Sequence, residues 1–263
     1  MKSLEAPAKI NLALVVGPRR PDGRHEVVTV LQRIELSDRI SLESGPSLDI
    51  TGFPEDTLVS DALLSLARAA AVDPHWSVRI EKRIPVAAGL GGGSSNAATA
   101  LRLANEALAQ PLAEARLHEL AAALGSDVPF FLTSGTQIGT GDGSELQDVD
   151  LPRDYAVLLV LPSDQTKSST AEVYGAFAGA DGFEDRRISL VAALEAGDLA
   201  GLPPNDLVSS PIAAELREAG AFRADVSGAG PAVYGLFAER ERAAAGRELF
   251  AGRCATWLTA PAW

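Results

Sequence analysis

The chain has 263 residues, 46% of them hydrophobic and 22% charged, a balance that suits one large globular domain or two small ones. A formal net charge of −12 argues against a nucleic-acid partner or an anionic membrane surface, so an anionic ligand needs basic groups placed locally. The single cysteine, Cys254, forbids an intrachain disulfide and points to a reducing compartment, while three scattered histidines, His25, His75 and His118, lend no support to a His/Cys metal site.

The N-terminal residues MKSLEAPAKINL hold no long apolar core of the signal-peptide kind, and the longest strongly apolar run, Ala156–Leu161, is far too short to span a membrane. A cytoplasmic location is the expectation. Residues Ala8–Val16 alternate as a strand, with Ile10, Leu12, Leu14 and Val16 on one side and Lys9 and Asn11 on the other. Spacing alone favours a solvated face for Lys9 and Asn11. The following GPRRPDGR has turn chemistry at Pro21-Asp22-Gly23 and gathers Arg19, Arg20 and Arg24 ahead of His25, a local basic patch in an acidic chain. It reads equally as a solvated hairpin tip or an anion site.

Further strands are predicted at Glu26–Leu36, Arg39–Glu43, Leu48–Thr51 and Trp76–Lys82, and a helix over Asp61–Ala71. The stretch Pro85–Ala100, PVAAGLGGGSSNAATA, carries Gly89, Gly91, Gly92 and Gly93 within five positions, followed by Ser94, Ser95, Asn96 and a helix-forming run. Ser94 or Ser95 is the expected N-cap. A glycine loop feeding a helix N-terminus directs free N–H groups and the positive dipole end at one spot, which suits a phosphate. The spacing matches neither the Walker loop nor the dinucleotide fingerprint. The plain alternative is a flexible loop with a cap, at a high entropic cost for so many glycines.

Helical spacing resumes over Glu114–Leu124, with Gly125 as its C′ residue, and Asp127 follows in GSDVPFF, where a cap or turn is its simplest role. A glycine-rich hairpin is expected at Gly135–Gly143. The pattern changes near Gln147–Arg153, which places a domain boundary there, giving domains 1–152 and 153–263. Beyond it come a buried strand at Ala156–Leu161, a capping box Ser169-Thr170-Ala171-Glu172 opening a short helix, and a helix over Ser189–Ala196. Another helix has Ser210 as N-cap and Pro211 at its first position. A second glycine turn, Gly228-Ala229-Gly230-Pro231, separates strands at Ala224–Ser227 and Ala232–Phe237. A helix over Glu239–Phe250 and a strand at Cys254–Leu258 close the chain. The order implies an α+β fold in two domains.

Three motifs then agree with one family. APAKINLAL (Ala6–Leu14), PVAAGLGGGSSNAA from Pro85, and DVSGAGPAVYGLF (Asp225–Phe237) resemble, in order, the three motifs of the GHMP kinase superfamily. GSDVPFF is similar to the segment carrying that family's catalytic aspartate. PDGRHEV, GSDVPFF and the NDL at Asn205 resemble the family's cytidyl-erythritol kinase branch. The resemblance implies the two-domain GHMP kinase fold with its active site in the cleft between the domains. It implies ATP, with Mg2+, as phosphate donor and a hydroxyl of 4-diphosphocytidyl-2-C-methyl-D-erythritol as acceptor, in non-mevalonate isoprenoid precursor synthesis. Pro85, Gly89, Leu90, Gly91, Gly92, Gly93, Ser94, Ser95 and Asn96 would then hold ATP. Asp127 would deprotonate the acceptor, and Lys9 would keep Asp127 ionised. Asn11, His25, Tyr174 and Thr170 would contact the acceptor: His25 at the cytosine edge, Tyr174 on its face and Thr170 near the polyol. The resemblance leaves the metal ligands unassigned. Two positions depart from the pattern: Arg24 stands where a tyrosine is common and is expected to stack on the base instead, and Ala229 replaces a small hydroxyl residue. The alternatives are another GHMP kinase, of homoserine or mevalonate type, or a nucleotide-binding regulator without catalysis. Retention of both Lys9 and Asp127 weighs against the regulator.

Overall fold

The computed structural model describes residues 1–163, 170–177, 179 and 181–262. Ser169 and the start of the expected capping box lie outside the described residues. The chain forms two compact units, each assembled from separate segments. The first gathers Met1–Ala8, Leu36–Val86 and Gly91–Ser134; the second gathers Lys9–Glu35, Ala87–Leu90 and Gly135–Trp263.

Two long strands, β1 (Lys2–Arg19) and β2 (His25–Ser44), pair with each other and contribute residues to both units. The alternation marks only the centre of β1, and Ser37-Asp38 reads as a break between two strands. In the structure β2 is continuous, because Asp38 is fully buried and its carboxylate is bonded within the fold. A polar residue with satisfied partners need not interrupt a strand.

In the first unit, β3 (Asp49–Thr51) lies parallel to β4 (Trp76–Glu81), and β4 pairs antiparallel with Arg39–Ser44 of β2. Helix α1 (Thr57–Ala70) packs on α2 (Gly92–Ala107), and α3 (Glu114–Leu124) and a 3-10 turn at Pro129–Leu132 pack beside them. Val59, Leu63 and Leu66 of α1 and the alanines Ala97, Ala98, Ala100 and Ala104 of α2 are buried there; small side chains let two helices approach closely.

In the second unit, β5 (Thr136–Thr140) and β6 (Glu145–Val149) form the expected hairpin, with β5 against Thr29–Leu31 of β2. A separate antiparallel sheet has the order β10-β7-β9-β8, from β7 (Ala156–Pro162), β8 (Arg223–Val226), β9 (Val233–Phe237) and β10 (Cys254–Thr259). Short α4 (Thr170–Ala176) and α5 (Phe183–Glu195) precede α6 (Pro211–Glu218) and α7 (Arg240–Glu248). Leu216 of α6 and Ala243 of α7 join Leu158, Val160, Phe237 and Phe250 in one apolar core.

Some local expectations hold and others are corrected. Ser210 caps α6 by accepting the Ile212 N–H, with Pro211 as its first residue. Neither Ser94 nor Ser95 caps α2. The helix begins at Gly92, and its N-cap is Gly91, three residues before Ser94, in the left-handed conformation at φ 70°. Glycine can cap by backbone freedom where serine would need a side-chain bond. Gly125 ends α3 with an extended backbone, φ 167°, rather than a left-handed turn. Helix α5 starts at Phe183, with Glu184 and Asp185 in its first turn, where carboxylates complement the dipole. No helix of the described residues is long and apolar enough to cross a membrane.

Candidate active site

The glycine segment has two parts with different duties. In its first part, Gly89 adopts φ 80°, and a Cβ there would stand 2.3 Å from the Ser227 carbonyl oxygen, so only glycine fits. The Ser227 hydroxyl donates to the Gly89 carbonyl at 3.0 Å, the Lys9 N–H donates to the Leu90 carbonyl at 2.9 Å, and the Ala232 N–H donates to the Ala88 carbonyl at 3.0 Å. The loop backbone is therefore tied to both other motifs. Ala87 also holds a left-handed conformation, φ 67°, a strained choice for a residue with a Cβ.

In its second part, the N–H groups of Gly92, Gly93 and Ser94 open α2 and have no helical acceptors. A Cβ on Gly93 would meet nothing nearer than the Asp56 carboxylate, at 3.8 and 4.0 Å. Packing among the described residues thus does not demand glycine at 93. A Cβ on Gly92 would stand 3.2 Å from Lys82 Nζ, so an ammonium already lies beside these donors. Ser94 is half-buried, but the side chains of Ser95 and Asn96 are fully buried. The Asn96 amide donates to Asp56 at 3.1 Å. The side chains of Ser95 and Asn96 therefore face the interior, where Asn96 ties α2 to Asp56. Burial pushes the Asp56 carboxyl above the ordinary aspartate range, although Asn96 and Lys82 favour its charged form.

Lys9 and Asn11 do not form a solvated face; they are 4% and 6% exposed. Lys9 Nζ donates to Asn11 Oδ1 at 2.6 Å, and Asn11 Nδ2 donates to Thr29 Oγ1 at 2.8 Å. The second glycine turn covers them. Ser227 Oγ accepts the Asn11 N–H at 3.3 Å, and a Cβ on Gly228, φ 57°, would stand 3.3 Å from Lys9 Nζ and 3.2 Å from Asn11 Oδ1. Asn205 anchors the turn: its side chain donates to the carbonyls of Val226 (3.0 Å) and Gly228 (2.7 Å), and its N–H donates to Asp225. Asn205 was legible only as part of NDL, with no sign of its task.

His25 is buried, and its Nδ1 bonds the Gly17 carbonyl at 2.9 Å. A carbonyl only accepts, so Nδ1 carries a proton in this contact, and the tautomer with that proton alone has Nε2 as its acceptor. Nε2 is covered and has no hydrogen-bond partner among the described residues. The ring lies 6.0 Å from Tyr174 and, edge-on, 5.7 Å from Phe177. These two aromatics pack on Leu14, Val16 and Val27. Phe177 carries no motif and escapes sequence reading. Thr170 opens α4 and is exposed. Arg24 is exposed and paired with Asp142, whose carboxyl is lowered: burial pushes it up, but hydrogen bonds from Ser144 and Arg24 outweigh that. Arg20 pairs with Glu26 at 2.9 Å, so two of the patch's arginines, Arg20 and Arg24, are engaged with carboxylates.

Asp127 belongs to the first unit, half-buried in the turn between α3 and the 3-10 turn. Pro85, also half-buried, ends that unit's approach to the glycine segment. Among the described residues no group of three or more His, Cys, Asp or Glu side chains could cage a metal ion.

Comparison with known proteins places this geometry. Residues 57–135 match the profile of the GHMP kinases N terminal domain, and residues 207–251 match that of the GHMP kinases C terminal domain. The chain is 38% identical to the 4-diphosphocytidyl-2-C-methyl-D-erythritol kinase of Geobacter sulfurreducens, over 98% of this chain and 97% of that one. A crystal structure of 4-(cytidine 5'-diphospho)-2C-methyl-D-erythritol kinase superposes with a TM-score of 0.83 at 32% identity, covering 100% of both chains. Homoserine kinase from Cytophaga hutchinsonii shares the fold, with a TM-score of 0.76 at 15% identity over 99% of this chain and 94% of that one. With its glycine segment, buried Lys9–Asn11 pair and covering third-motif turn, the chain belongs to the GHMP kinase family, among the 4-diphosphocytidyl-2-C-methyl-D-erythritol kinases.

Proposed function

We propose that this ATP-dependent small-molecule kinase phosphorylates a hydroxyl of 4-diphosphocytidyl-2-C-methyl-D-erythritol, in the non-mevalonate route to isoprenoid precursors and in the cytoplasm. The division into domains at 1–152 and 153–263 belongs to the same proposal; the two family profiles fall one on each side of it.

The cytidine reading is carried by His25. A buried polar atom without a partner costs about 1–3 kcal/mol, which a ligand donor would recover. The exocyclic amine of cytosine offers such a donor to Nε2, whereas uracil presents an oxygen at that edge and would leave two acceptors facing each other. Tyr174 would cover one face of the base, and Phe177, beside the same imidazole, would close the pocket. Arg24 would have to leave Asp142 to stack on the base. Asn11 and Thr170 would serve the polyol part of the acceptor.

Phosphoryl transfer depends on positioning and charge neutralisation more than on covalent chemistry by the protein. The N–H groups at Gly92, Gly93 and Ser94 would hold the phosphates, with Pro85, Gly89, Leu90 and Gly91 shaping the approach. Asp127 would take the proton of the acceptor hydroxyl. Lys9 would favour the ionised carboxylate and offset charge developing on the transferring group. Mg2+, when bound, supplies charge neutralisation on the triphosphate.

The deciding experiment follows ADP release with Mg-ATP and a panel of acceptors. The cytidyl acceptor should be used, and its uridyl counterpart should lose about 10²-fold or more in kcat/KM. Turnover of homoserine or mevalonate instead would overturn the acceptor assignment, and no turnover of any acceptor by a protein that binds ATP would favour the regulator. Tyr174→Ala should weaken the cytidyl acceptor by roughly 5- to 150-fold, the equivalent of one base stack, and leave ATP affinity unchanged. Equal loss for both ligands would mean that Tyr174 only packs its helix.

A further inference from the structure

Asp38 is fully buried in β2, and no step of the reaction calls on it. Its Oδ1 accepts two backbone N–H groups, Arg83 at 2.7 Å and Ile84 at 2.8 Å. Its Oδ2 takes the Lys82 ammonium at 2.5 Å. Three consecutive residues directly ahead of Pro85 and the glycine segment are thus tied to one carboxylate. Two of them also touch the start of α2: Lys82 Nζ and Ile84 Cγ2 each lie 3.2 Å from the place a Cβ on Gly92 would take. The Lys82 side chain keeps 16% of its surface exposed and sits 5.5 Å from the centre of the Phe53 ring. Its ammonium is therefore held by Asp38 and over the Phe53 face, next to the N–H groups that open α2.

We infer that Asp38 is a positioning residue for the nucleotide: it fixes the entry to the glycine segment and holds the Lys82 ammonium where it meets the bound phosphates. A long flexible lysine on an unbraced loop would lose much side-chain entropy when it met a phosphate; one already braced by Asp38 loses little. The inference rests on ATP binding at the glycine segment. A purely structural ion pair is the alternative, since buried pairs need not contribute net stability but are costly to break on one side.

The test uses the full chain and calorimetric affinities for ATP and for the cytidyl acceptor, with melting temperature measured alongside. Asp38→Asn keeps an oxygen acceptor for the Arg83 and Ile84 N–H groups but loses the charge on Lys82. ATP affinity should fall about 10- to 100-fold, the scale on which a small misplacement is felt. Acceptor affinity should hold within about twofold, because binding energy is lost only where the contact is lost. Lys82→Met should weaken ATP similarly, and adding Asp38→Asn to it should cost little more, since both changes remove one interaction. Unchanged ATP affinity in either folded single variant would overturn the inference, as would losses that add in full. Should Asp38→Asn not fold, Lys82→Met still decides. Gly92→Val separates the two layers: if it leaves ATP binding intact, the nucleotide site itself is elsewhere. If it abolishes ATP binding while Asp38→Asn does nothing, only the role of Asp38 falls.

Discussion

Gly93 shows most directly what a single residue reports about this site. Among the described residues nothing comes closer to the place of its Cβ than Asp56, at 3.8 Å, and alanine is the better helix former by about 1 kcal/mol. Gly93→Ala should therefore fold normally, melt at the same temperature or higher, and bind ATP more weakly. A calorimetric ATP affinity equal to that of the wild type would show that the open space is not kept for a phosphate. The chemistry rests on another single residue. Asp127→Asn should keep both ligands bound and lose turnover by roughly 10²–10⁴, the usual scale for removing a general base. Lys9→Met should fall in the same range. If Asp127 is only a turn residue, the variant should instead lose about 1 kcal/mol of stability and stay active, as when a capping side chain is removed. Steady-state kinetics beside a melting curve distinguishes the outcomes.

At the scale of elements, the start of α2 is shaped by neighbours. Asn96 in its first turns donates to Asp56, the residue before α1, so the two helix N-termini share a buried contact. That burial raises the Asp56 carboxyl. The folded chain then holds the proton to higher pH than the unfolded chain does. Its contribution is complete below the unfolded value and is lost as pH rises through the raised folded value. Asp56→Asn keeps an acceptor for Asn96 and has no proton to lose. Wild-type stability relative to this variant should fall as pH rises between the ordinary aspartate range and the raised value, and then level off. Melting temperatures of both proteins across that interval check it; a constant difference would mean that Asp56 is not destabilised by burial.

For the molecule as a whole, the net charge of −12 is compatible with anionic ligands because basic groups are placed one at a time. Lys82 stands beside the open end of α2 and Lys9 beneath the second glycine turn, whereas the arginines after β1 are engaged with Glu26 and Asp142. The compact units are assembled from alternating segments: Lys9–Glu35 and Ala87–Leu90 group with the C-terminal residues, and Met1–Ala8 with residues 36–86 and 91–134. Composition cannot reveal such interleaving, because it follows from pairing between distant strands rather than from any local run.

What the amino-acid order determined unaided was whatever depends on neighbours in the chain. The glycine cluster ahead of a helix, the Ser210-Pro211 start of α6, the alternation of β4 and the hairpin at Gly135–Gly143 are all local preferences of backbone and cap. The three motifs in order were enough to point to the family. Tertiary structure decided the rest. Alternation assigned Lys9 and Asn11 to water, yet a turn more than two hundred positions away covers them, with Ser227 and Gly228 against Asn11 and Lys9. Asp38 looked like a break between strands, yet three donors from Lys82, Arg83 and Ile84 make it interior. Periodicity registers which side of an element a residue occupies; it holds no information about what long-range packing later lays over that side, and that packing decides whether a charge is solvated or set in a site.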